Sequence, residues 1–197
     1  MYRVGITGGI GSGKSTLCQL FSELGIPIYN SDAKAKALMS RNSELQNAIV
    51  EAFGEESYID GQLNRHYLSS VVFTDREKLL HLNSLVHPRV KVDFDRWSEE
   101  QDAPYVILEC AILFDAGFNE HVNSSVCVLS PKDMRIERVI SRDGLTTQQV
   151  EERIANQLPD DKLHSLCDLS VVNFDVEDLE DAAKVFDKKF RYEAQRN

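Results

Sequence analysis

The apolar residues of this chain fall into five short runs that are separated by stretches with helical periodicity. The runs are mostly continuous rather than alternating, which is typical of parallel strands covered on both faces. Strands that alternate with helices predict an α/β fold with a doubly wound, five-stranded parallel sheet. The predicted strands are Tyr2–Ile6, Ile26–Tyr29, Tyr105–Glu109, Ser125–Leu129 and Leu169–Val172.

A long helical stretch, about residues 32–101, separates the second predicted strand from the third. Within it, Thr74 to Glu77 form a capping box that opens a helix with leucines on one face. Pro88 interrupts this periodicity, so we expect a second helix to begin there, with His87 at the corner. An insertion of this size is either a holder for a second substrate or a purely structural helical hairpin.

Residues 132–143 predict a helix that carries Arg135, Arg138 and Arg142 on one face. Such a row is either a solvated face paired with acidic neighbours or, beside a phosphate site, part of a lid that closes over it. We therefore expect one domain over residues 1–197. Its core covers about 1–31, 102–134 and 161–197, its helical insertion about 32–101, and its lid about 135–160.

A phosphate-binding loop follows the first predicted strand and precedes a helix. The segment has the complete pattern G-x-x-x-x-G-K-[ST]. Its glycines let backbone N–H groups approach a polyphosphate, and the next helix directs its positive end at the same anion. Lys14 can reach the outer phosphates, and the Ser15 hydroxyl can hold Mg²⁺. The expected ATP-binding residues here are Gly8, Gly9, Gly11, Ser12, Gly13, Lys14, Ser15 and Thr16.

Composition narrows the range of partners. The formal net charge of −10 argues against a general nucleic-acid or anionic-membrane binder, which needs clustered cations. Four widely spaced cysteines indicate buried free thiols and a reducing compartment. No apolar run approaches the ~18 residues of a membrane span, and the chain enters a strand at once instead of a signal peptide. We therefore expect a soluble, cytoplasmic protein; the sequence predicts no oligomeric state.

The remaining motifs favour a small-molecule kinase. A GTPase needs D-x-x-G and N-K-x-D segments, and neither occurs in the sequence. A kinase needs a carboxylate that can take the proton of the acceptor hydroxyl. Asp32, just after the second strand, is the candidate, and its alternative role is the N-cap of a helix that begins at Ala33. A nucleoside monophosphate kinase and a non-catalytic nucleotide-binding protein stay open as alternatives.

Several segments carry a family resemblance that covers nearly the whole chain. In order, they are Gly5–Thr16, Gly25-Ile26 leading to Asp32, Leu85–Arg89, Ile112–Phe114, Arg142–Leu145, Arg153–Gln157 and the closing Asp168 to Asn173. Together they resemble the dephospho-CoA kinases. The resemblance implies ATP-dependent phosphorylation of the ribose 3′-hydroxyl of dephospho-CoA, the final step of coenzyme A biosynthesis.

The resemblance also implies roles for individual residues. Asp32 matches the catalytic aspartate of the family, and Lys14 and Arg142 complete the catalytic set. Arg138 and Arg142 match arginines near the nucleotide and the lid. The region around His87 matches the helical part associated with the acceptor, so His87 is a candidate substrate contact. The implied partners are ATP with Mg²⁺ and dephospho-CoA.

Two segments depart from the pattern of the family. Asn30-Ser31-Asp32 stands where the family often has Asp-Ala-Asp, which puts a supporting role of the first carboxylate in doubt. Ala111 to Asp115 stand where Pro-Leu-Leu-Phe-Glu is common, so the acid there is shorter by one methylene. Both Glu109 and Asp115 are therefore candidates for organising the surroundings of Mg²⁺.

Overall fold

The computed structural model describes residues 1–72 and 75–196. The chain divides into two compact units, one formed by Met1–Asn30 with Trp97–Asn197 and the other by Ser31–Arg96. The strands are β1 (Tyr2–Thr7), β2 (Ile28–Asn30), β3 (Tyr58–Ile59), β4 (Gln62–Leu63), β5 (Tyr105–Glu109), β6 (Ser124–Leu129) and β7 (Leu169–Val172). The α-helices are α1 (Lys14–Glu23), α2 (Ser31–Arg41), α3 (Ser43–Phe53), α4 (Arg65–Val72), α5 (Arg76–Glu99), α6 (Lys132–Asp143), α7 (Thr147–Ala155), α8 (Asp160–Leu166) and α9 (Val176–Ala194).

The first unit is built on a five-stranded parallel sheet in the order β2-β5-β1-β6-β7. This confirms the predicted parallel α/β sheet. The second strand begins at Ile28 rather than Ile26, because Pro27 has no N–H to donate to the ladder. The carbonyl of Pro27 still accepts a hydrogen bond from the N–H of Ile107 at 3.0 Å. In the strand order given above, β1 is the central strand, with β5 and β2 on one side of it and β6 and β7 on the other. Ligands of open α/β sheets bind at such a point, outside the carboxyl ends of the strands.

The two faces of β1 are both covered. Val4 and Ile6 are fully buried in a core that they share with Phe21 of α1 and Phe190 of α9. Because neighbouring side chains of a strand point to opposite faces, Gly5 lies on the other face. A Cβ at Gly5 would approach a methyl group of Leu113 to 2.9 Å. This packing holds the carboxyl end of β1, where the phosphate-binding loop begins.

The second unit contains helices α2, α3 and α4, most of α5, and a small hairpin that the periodicity did not predict. Strands β3 and β4 pair antiparallel over two residues each. They are joined by Asp60 and Gly61, whose φ angles are +50° and +74°. An Asp-Gly pair with both residues at positive φ suits a tight hairpin turn. Strands of two residues are too short to show an alternating pattern.

Helix α5 corrects the expectation that a new helix begins at Pro88. The helix is continuous from Arg76 to Glu99 with Pro88 inside it, so His87 lies in mid-helix and not at a corner. A proline removes one helical hydrogen bond and costs about 3 kcal/mol. Val86, Val90 and Phe94 are all buried at a spacing of four residues. This stripe continues across the proline, and its burial offsets the loss.

The capping box expected at the start of α5 includes Thr74, and Thr74 lies outside the described residues. The carboxylate of Asp75 accepts hydrogen bonds from the N–H groups of Glu77 and Lys78 at 3.0 and 3.3 Å. Side chains also cap two other helices. Thr146 forms a capping box with Gln149 before α7, and Asp175 caps α9.

The four cysteines are free thiols, as predicted, and three of them are buried. Within residues 1–72 and 75–196, no helix has both the length and the apolar content that a membrane crossing requires.

Candidate active site

The phosphate-binding loop occupies residues 8–13 between β1 and α1, and Lys14 is the first residue of the helix. Gly11 has a φ of +75°, in the left-handed region that L side chains rarely adopt. At Gly9 the constraint is space: a Cβ there would lie 2.0 Å from Nη2 of Arg135. The loop is therefore closely packed against α6 as well as being rich in glycine.

Ile10, at the tip of this loop, is held at both of its backbone polar groups. Its carbonyl accepts from Nε of Arg135 at 2.9 Å, and its N–H donates to Oε1 of Gln157 at 2.8 Å. The Arg135 guanidinium also bonds both oxygens of Asp160, at 2.8 and 2.9 Å. Only 3% of the Arg135 side chain is exposed. Arg135 is thus a buried brace of the loop, which corrects the expectation of a solvated or mobile arginine at this position.

Asn173 braces the second half of the loop. This buried residue follows β7, and its amide Nδ2 donates to the carbonyl of Ser12 at 2.7 Å. Its own N–H donates to the carbonyl of Leu129 at 2.8 Å. Its carbonyl accepts from the Ser130 hydroxyl at 2.8 Å. The ends of β6 and β7 are thereby bonded to the loop at the carboxyl edge of the sheet.

Lys14 and Ser15 present the polar groups expected of them at this edge. The Lys14 ammonium donates to the carbonyls of Gly8 and Gly9, at 2.7 and 3.1 Å. The Ser15 hydroxyl donates to Oε1 of Glu109 at 2.6 Å. The other oxygen, Oε2, accepts from the Asn30 amide at 2.7 Å. These bonds join α1 to the carboxyl ends of β2 and β5.

The sequence left both Glu109 and Asp115 as candidates for organising the surroundings of Mg²⁺, and the structure favours Glu109. It pairs in register with Ile6 of β1 and with Asn30 of β2, so its side chain ends beside the loop. Asp115 instead lies exposed in a turn after β5. The signal in the sequence was the position of Glu109 as the last residue of a strand adjacent to β1.

The oxygen atoms here suit a magnesium ion. Across the described part of the chain, no cluster of three or more His, Cys, Asp or Glu side chains could form a complete metal site. Mg²⁺ is commonly held by one or two carboxylates, water and the phosphates of a substrate. The Ser15 hydroxyl and the Glu109 carboxylate supply ligands of this kind, so these residues fit the ion.

A cleft of about 270 Å³ opens above the loop. Arg138 donates to the Ser130 hydroxyl at 3.0 Å and to the Phe174 carbonyl at 2.9 Å. Arg142, 62% exposed, forms a two-point pair with Asp143, and its guanidinium lowers the pKa of that carboxyl. The structure thus gathers cationic side chains around the cleft, whose lining is Gly11, Gly13, Lys14, Ser15, Thr16, Arg138 and Arg142.

The two remaining predicted site residues belong to the second unit. Asp32 is exposed in the first turn of α2, which begins at Ser31, so it is not the N-cap of a helix beginning at Ala33. His87 is half-buried in α5, and burial together with Lys91 lowers the pKa of its imidazole. The described contacts give neither residue a catalytic or substrate-binding role, so these roles stay predictions.

Known proteins resemble this chain over most of its length. The family model of dephospho-CoA kinase matches residues 2–178. The dephospho-CoA kinase of Salinibacter ruber is 39% identical over 172 residues, covering 85% of this chain and 86% of the relative. The Bacteroides fragilis enzyme is 34% identical over 172 residues, covering 87% and 84%.

Solved structures agree with these sequence matches. The Thermus thermophilus protein TT1252 superposes with a TM-score of 0.81 at 33% identity, covering 95% of this chain and 97% of that one. A shikimate kinase from Bacteroides thetaiotaomicron shares the fold alone, with a TM-score of 0.57 at 14% identity and coverage of 95% and 96%. The family model and the curated relatives together show that this chain belongs to the dephospho-CoA kinase family.

Proposed function

We propose that this protein transfers the γ-phosphoryl group of ATP to the ribose 3′-hydroxyl of dephospho-CoA, the reaction of its family. The observation that carries the proposal is the braced loop with Lys14 and Ser15 at its end, in a cleft also lined by Arg138 and Arg142. Backbone N–H groups of the loop and the positive end of α1 bind the phosphates. Lys14 stabilises the charge that develops on the β- and γ-phosphates during transfer.

Mg²⁺, when bound with ATP, supplies positive charge to the phosphate oxygens. Ser15 would hold the ion, and Glu109 orients the Ser15 hydroxyl, which donates a hydrogen bond to the Glu109 carboxylate. Asn30 donates to the second oxygen of Glu109 and so restricts its rotation. A neutral amide at position 30 does this without placing a second negative charge beside Glu109.

Asp32 is the proposed proton acceptor. As the 3′-oxygen forms its bond to the γ-phosphorus, the bond from that phosphorus to the bridging oxygen of ADP breaks. The hydroxyl proton passes to the Asp32 carboxylate. No covalent enzyme intermediate is required, because positioning and charge stabilisation account for catalysis of this kind. Asp32 is supported by its exposure in the first turn of α2 and by its match to the catalytic aspartate of the family.

The roles of the other segments follow from the same scheme. We propose that residues 135–160 act as a lid that is anchored to the loop through Arg135 and Gln157 at its two ends, and in which Arg142, assisted by Arg138, closes over the phosphates. The insertion, about residues 32–101, holds the acceptor, with His87 as a candidate contact. The lowered pKa of His87 keeps its imidazole neutral near pH 7, so it would contact the acceptor by hydrogen bonding or packing. The four free thiols support a reducing, cytoplasmic location.

Asp32→Asn tests the proton acceptor. We expect kcat to fall by roughly 10²-fold or more, the scale of general-base catalysis, while the Kd for ATP changes little. Asp133→Asn is the matched control, because Asp133 is also exposed in the first turn of a helix, α6. It should retain the wild-type kcat. Near-normal turnover by Asp32→Asn would remove Asp32 from the mechanism.

A screen of acceptors tests the reaction itself. ADP release is measured with dephospho-CoA, adenosine and AMP side by side at the same ATP concentration. We expect dephospho-CoA to be the preferred acceptor by a wide margin. Preference for AMP would instead indicate a nucleoside monophosphate kinase. ATP binding without turnover of any acceptor would indicate a protein that only binds the nucleotide.

A further inference from the structure

Two of the four cysteines lie side by side in the first unit. Cys127 is buried in β6, and Cys167 is half-buried directly after α8. Their thiols are hydrogen-bonded to each other, although the two residues are about 40 positions apart in the sequence. A disulfide requires two sulfur atoms within reach of each other, and this pair meets that condition.

Hydrogen bonds fix the backbone beside the pair. Ser125 and Cys127 are two residues apart in β6, so their side chains lie on the same face of the strand. Asp168, the residue after Cys167, accepts bonds at Oδ2 from the N–H and from the hydroxyl of Ser125, each at 2.7 Å. The N–H of Cys167 donates to the carbonyl of Leu163 at 3.2 Å. The chain at Cys167 is therefore held against the face of β6 that carries Cys127.

The surroundings of the two thiols favour a thiolate, the form of cysteine that attacks an oxidant. The hydrogen bond from Cys167 lowers the pKa of the Cys127 thiol, and His164 lowers it further, while burial opposes both. The same hydrogen bond raises the pKa of Cys167. One proton is thus held between the two sulfur atoms. When it moves to Cys127, the charge lies on Cys167, which is the more accessible of the two.

We propose that Cys127 and Cys167 form a redox-active pair that a hydroperoxide converts to an intramolecular disulfide. The Cys167 sulfur attacks the outer oxygen of the hydroperoxide, the O–O bond breaks, and Cys167 becomes a sulfenic acid. The alkoxide or hydroxide that is released takes a proton from the solvent. The Cys127 sulfur then attacks the Cys167 sulfur, and the S–O bond breaks. The hydroxyl group leaves with the Cys127 proton as water.

The balance of these steps closes. The two thiols lose two electrons and two protons, and the hydroperoxide takes up the two electrons as its O–O bond breaks. A dithiol reverses the modification by thiol–disulfide exchange, which returns both cysteines to thiols. The inference goes beyond the proposed function, because neither cysteine lines the cleft.

A thiol count with peptide mapping tests the proposal. The reduced, folded protein is treated with hydrogen peroxide, and the remaining thiols are alkylated after denaturation. We expect the thiols to fall from four to two, with one new peptide that joins β6 to the segment after α8. Dithiothreitol should restore all four. Cys18→Ala is the matched control, because Cys18 is another buried thiol and its burial raises its pKa. This variant should form the same disulfide as the wild type.

Two further readouts separate the steps. In Cys127→Ser the sulfenic acid at Cys167 has no second thiol beside it, so dimedone should label it far more than in the wild type. Oxidation of the wild type should raise Tm by roughly 5–15 °C, because a disulfide that closes a loop of about 40 residues restricts the unfolded chain. Cys127→Ser should show no such rise.

Four results would overturn the proposal. They are retention of all four thiols, oxidation of the four at equal rates, a disulfide that includes Cys18 or Cys110, and an oxidised form that melts below the reduced one. The last would show that the bond forms only by distorting the fold. Failure of the proposed function would be distinct, since a chain that binds ATP but does not phosphorylate dephospho-CoA would still give the same thiol count.

Discussion

Arg135→Met should destabilise the protein more than any loss of a surface charge. Methionine keeps most of the apolar stem but removes both hydrogen-bonding interactions of the guanidinium. One of these, to the Ile10 carbonyl, leaves a partly buried acceptor unpaired, at a cost of roughly 1–3 kcal/mol. The other is the bond to Asp160, and hydrogen bonds to charged groups contribute about 1.5–3 kcal/mol.

The full sum is reduced because Asp160 is 40% exposed and water can solvate its carboxylate after the substitution. We therefore expect a loss of about 3 kcal/mol in the free energy of unfolding, mostly from the Ile10 carbonyl and the buried guanidinium site. For a chain of this size, each kcal/mol lowers Tm by roughly 2–4 °C, so Tm should fall by about 6–12 °C. ATP affinity should fall as well, because the loop loses the bond that holds its tip.

Scanning calorimetry with and without ATP measures both effects. Arg191→Met is the matched control, since Arg191 also bonds both oxygens of one aspartate, Asp187, at 2.9 Å but is 42% exposed. Arg191 and Asp187 form an i,i+4 pair on one helix, which contributes about 0.3–0.5 kcal/mol, and Asp187 keeps its hydrogen bond from the Tyr105 hydroxyl, so this variant should lose little stability. If Arg135→Met had the same Tm as Arg191→Met, the buried hydrogen bonds of Arg135 would contribute no measurable stability, and the reasoning would be refuted.

Two further predictions concern the metal and the long helix. Glu109→Gln keeps an acceptor for the Ser15 hydroxyl but removes the charge, so the Mg²⁺ concentration for half-maximal activity should rise by about 10–100-fold, as for other residues that orient metal ligands. Asp115→Asn is its control, and an equal effect of the two variants in a Mg²⁺ titration would contradict the role of Glu109. Pro88→Ala restores a donor to α5 and should raise the free energy of unfolding by about 1–3 kcal/mol in denaturant titrations. Val92→Ala on the same helix should raise the free energy of unfolding by only a few tenths of a kcal/mol. A similar gain from both variants would show that the gain does not come from removing the proline.

The sequence predicted well those features that depend on local pattern. Continuous apolar runs located each of the five strands of the parallel sheet to within two residues. It failed where packing opposes a local preference. Pro88 is a strong local signal for a helix boundary, yet the buried stripe of Val86, Val90 and Phe94 keeps α5 continuous. That outcome depends on a surface that only the folded unit supplies.

The phosphate-binding motif of the site could be predicted from the sequence, whereas the residues that brace the loop could not. The loop glycines, Lys14 and Ser15 stand in one uninterrupted segment, so their roles could be assigned from spacing. The residues that brace the loop lie 125 positions away or more, as in the bonds from Arg135 and Gln157 to Ile10. Such contacts exist only once β6, β7 and the helices after them have packed. Gln157 and Asn173 were noticed as parts of family-like segments, but their physical task was not readable from the sequence.

The three arginines of α6 show why a shared helical face does not imply a shared role. The exposed fraction of the side chain is 3% for Arg135 and 62% for Arg142. Arg138 lies between them and is bonded to the carbonyl of Phe174. A buried arginine with every bond directed at protein atoms cannot follow a moving phosphate without leaving unpaired polar groups behind. An exposed arginine whose partner is the adjacent Asp143 loses little when it turns to another anion, because water solvates both groups of such a pair. Along one helix the chain therefore places a buried brace at the loop and, two turns later, an exposed cation of the kind that the proposed closure over the phosphates requires.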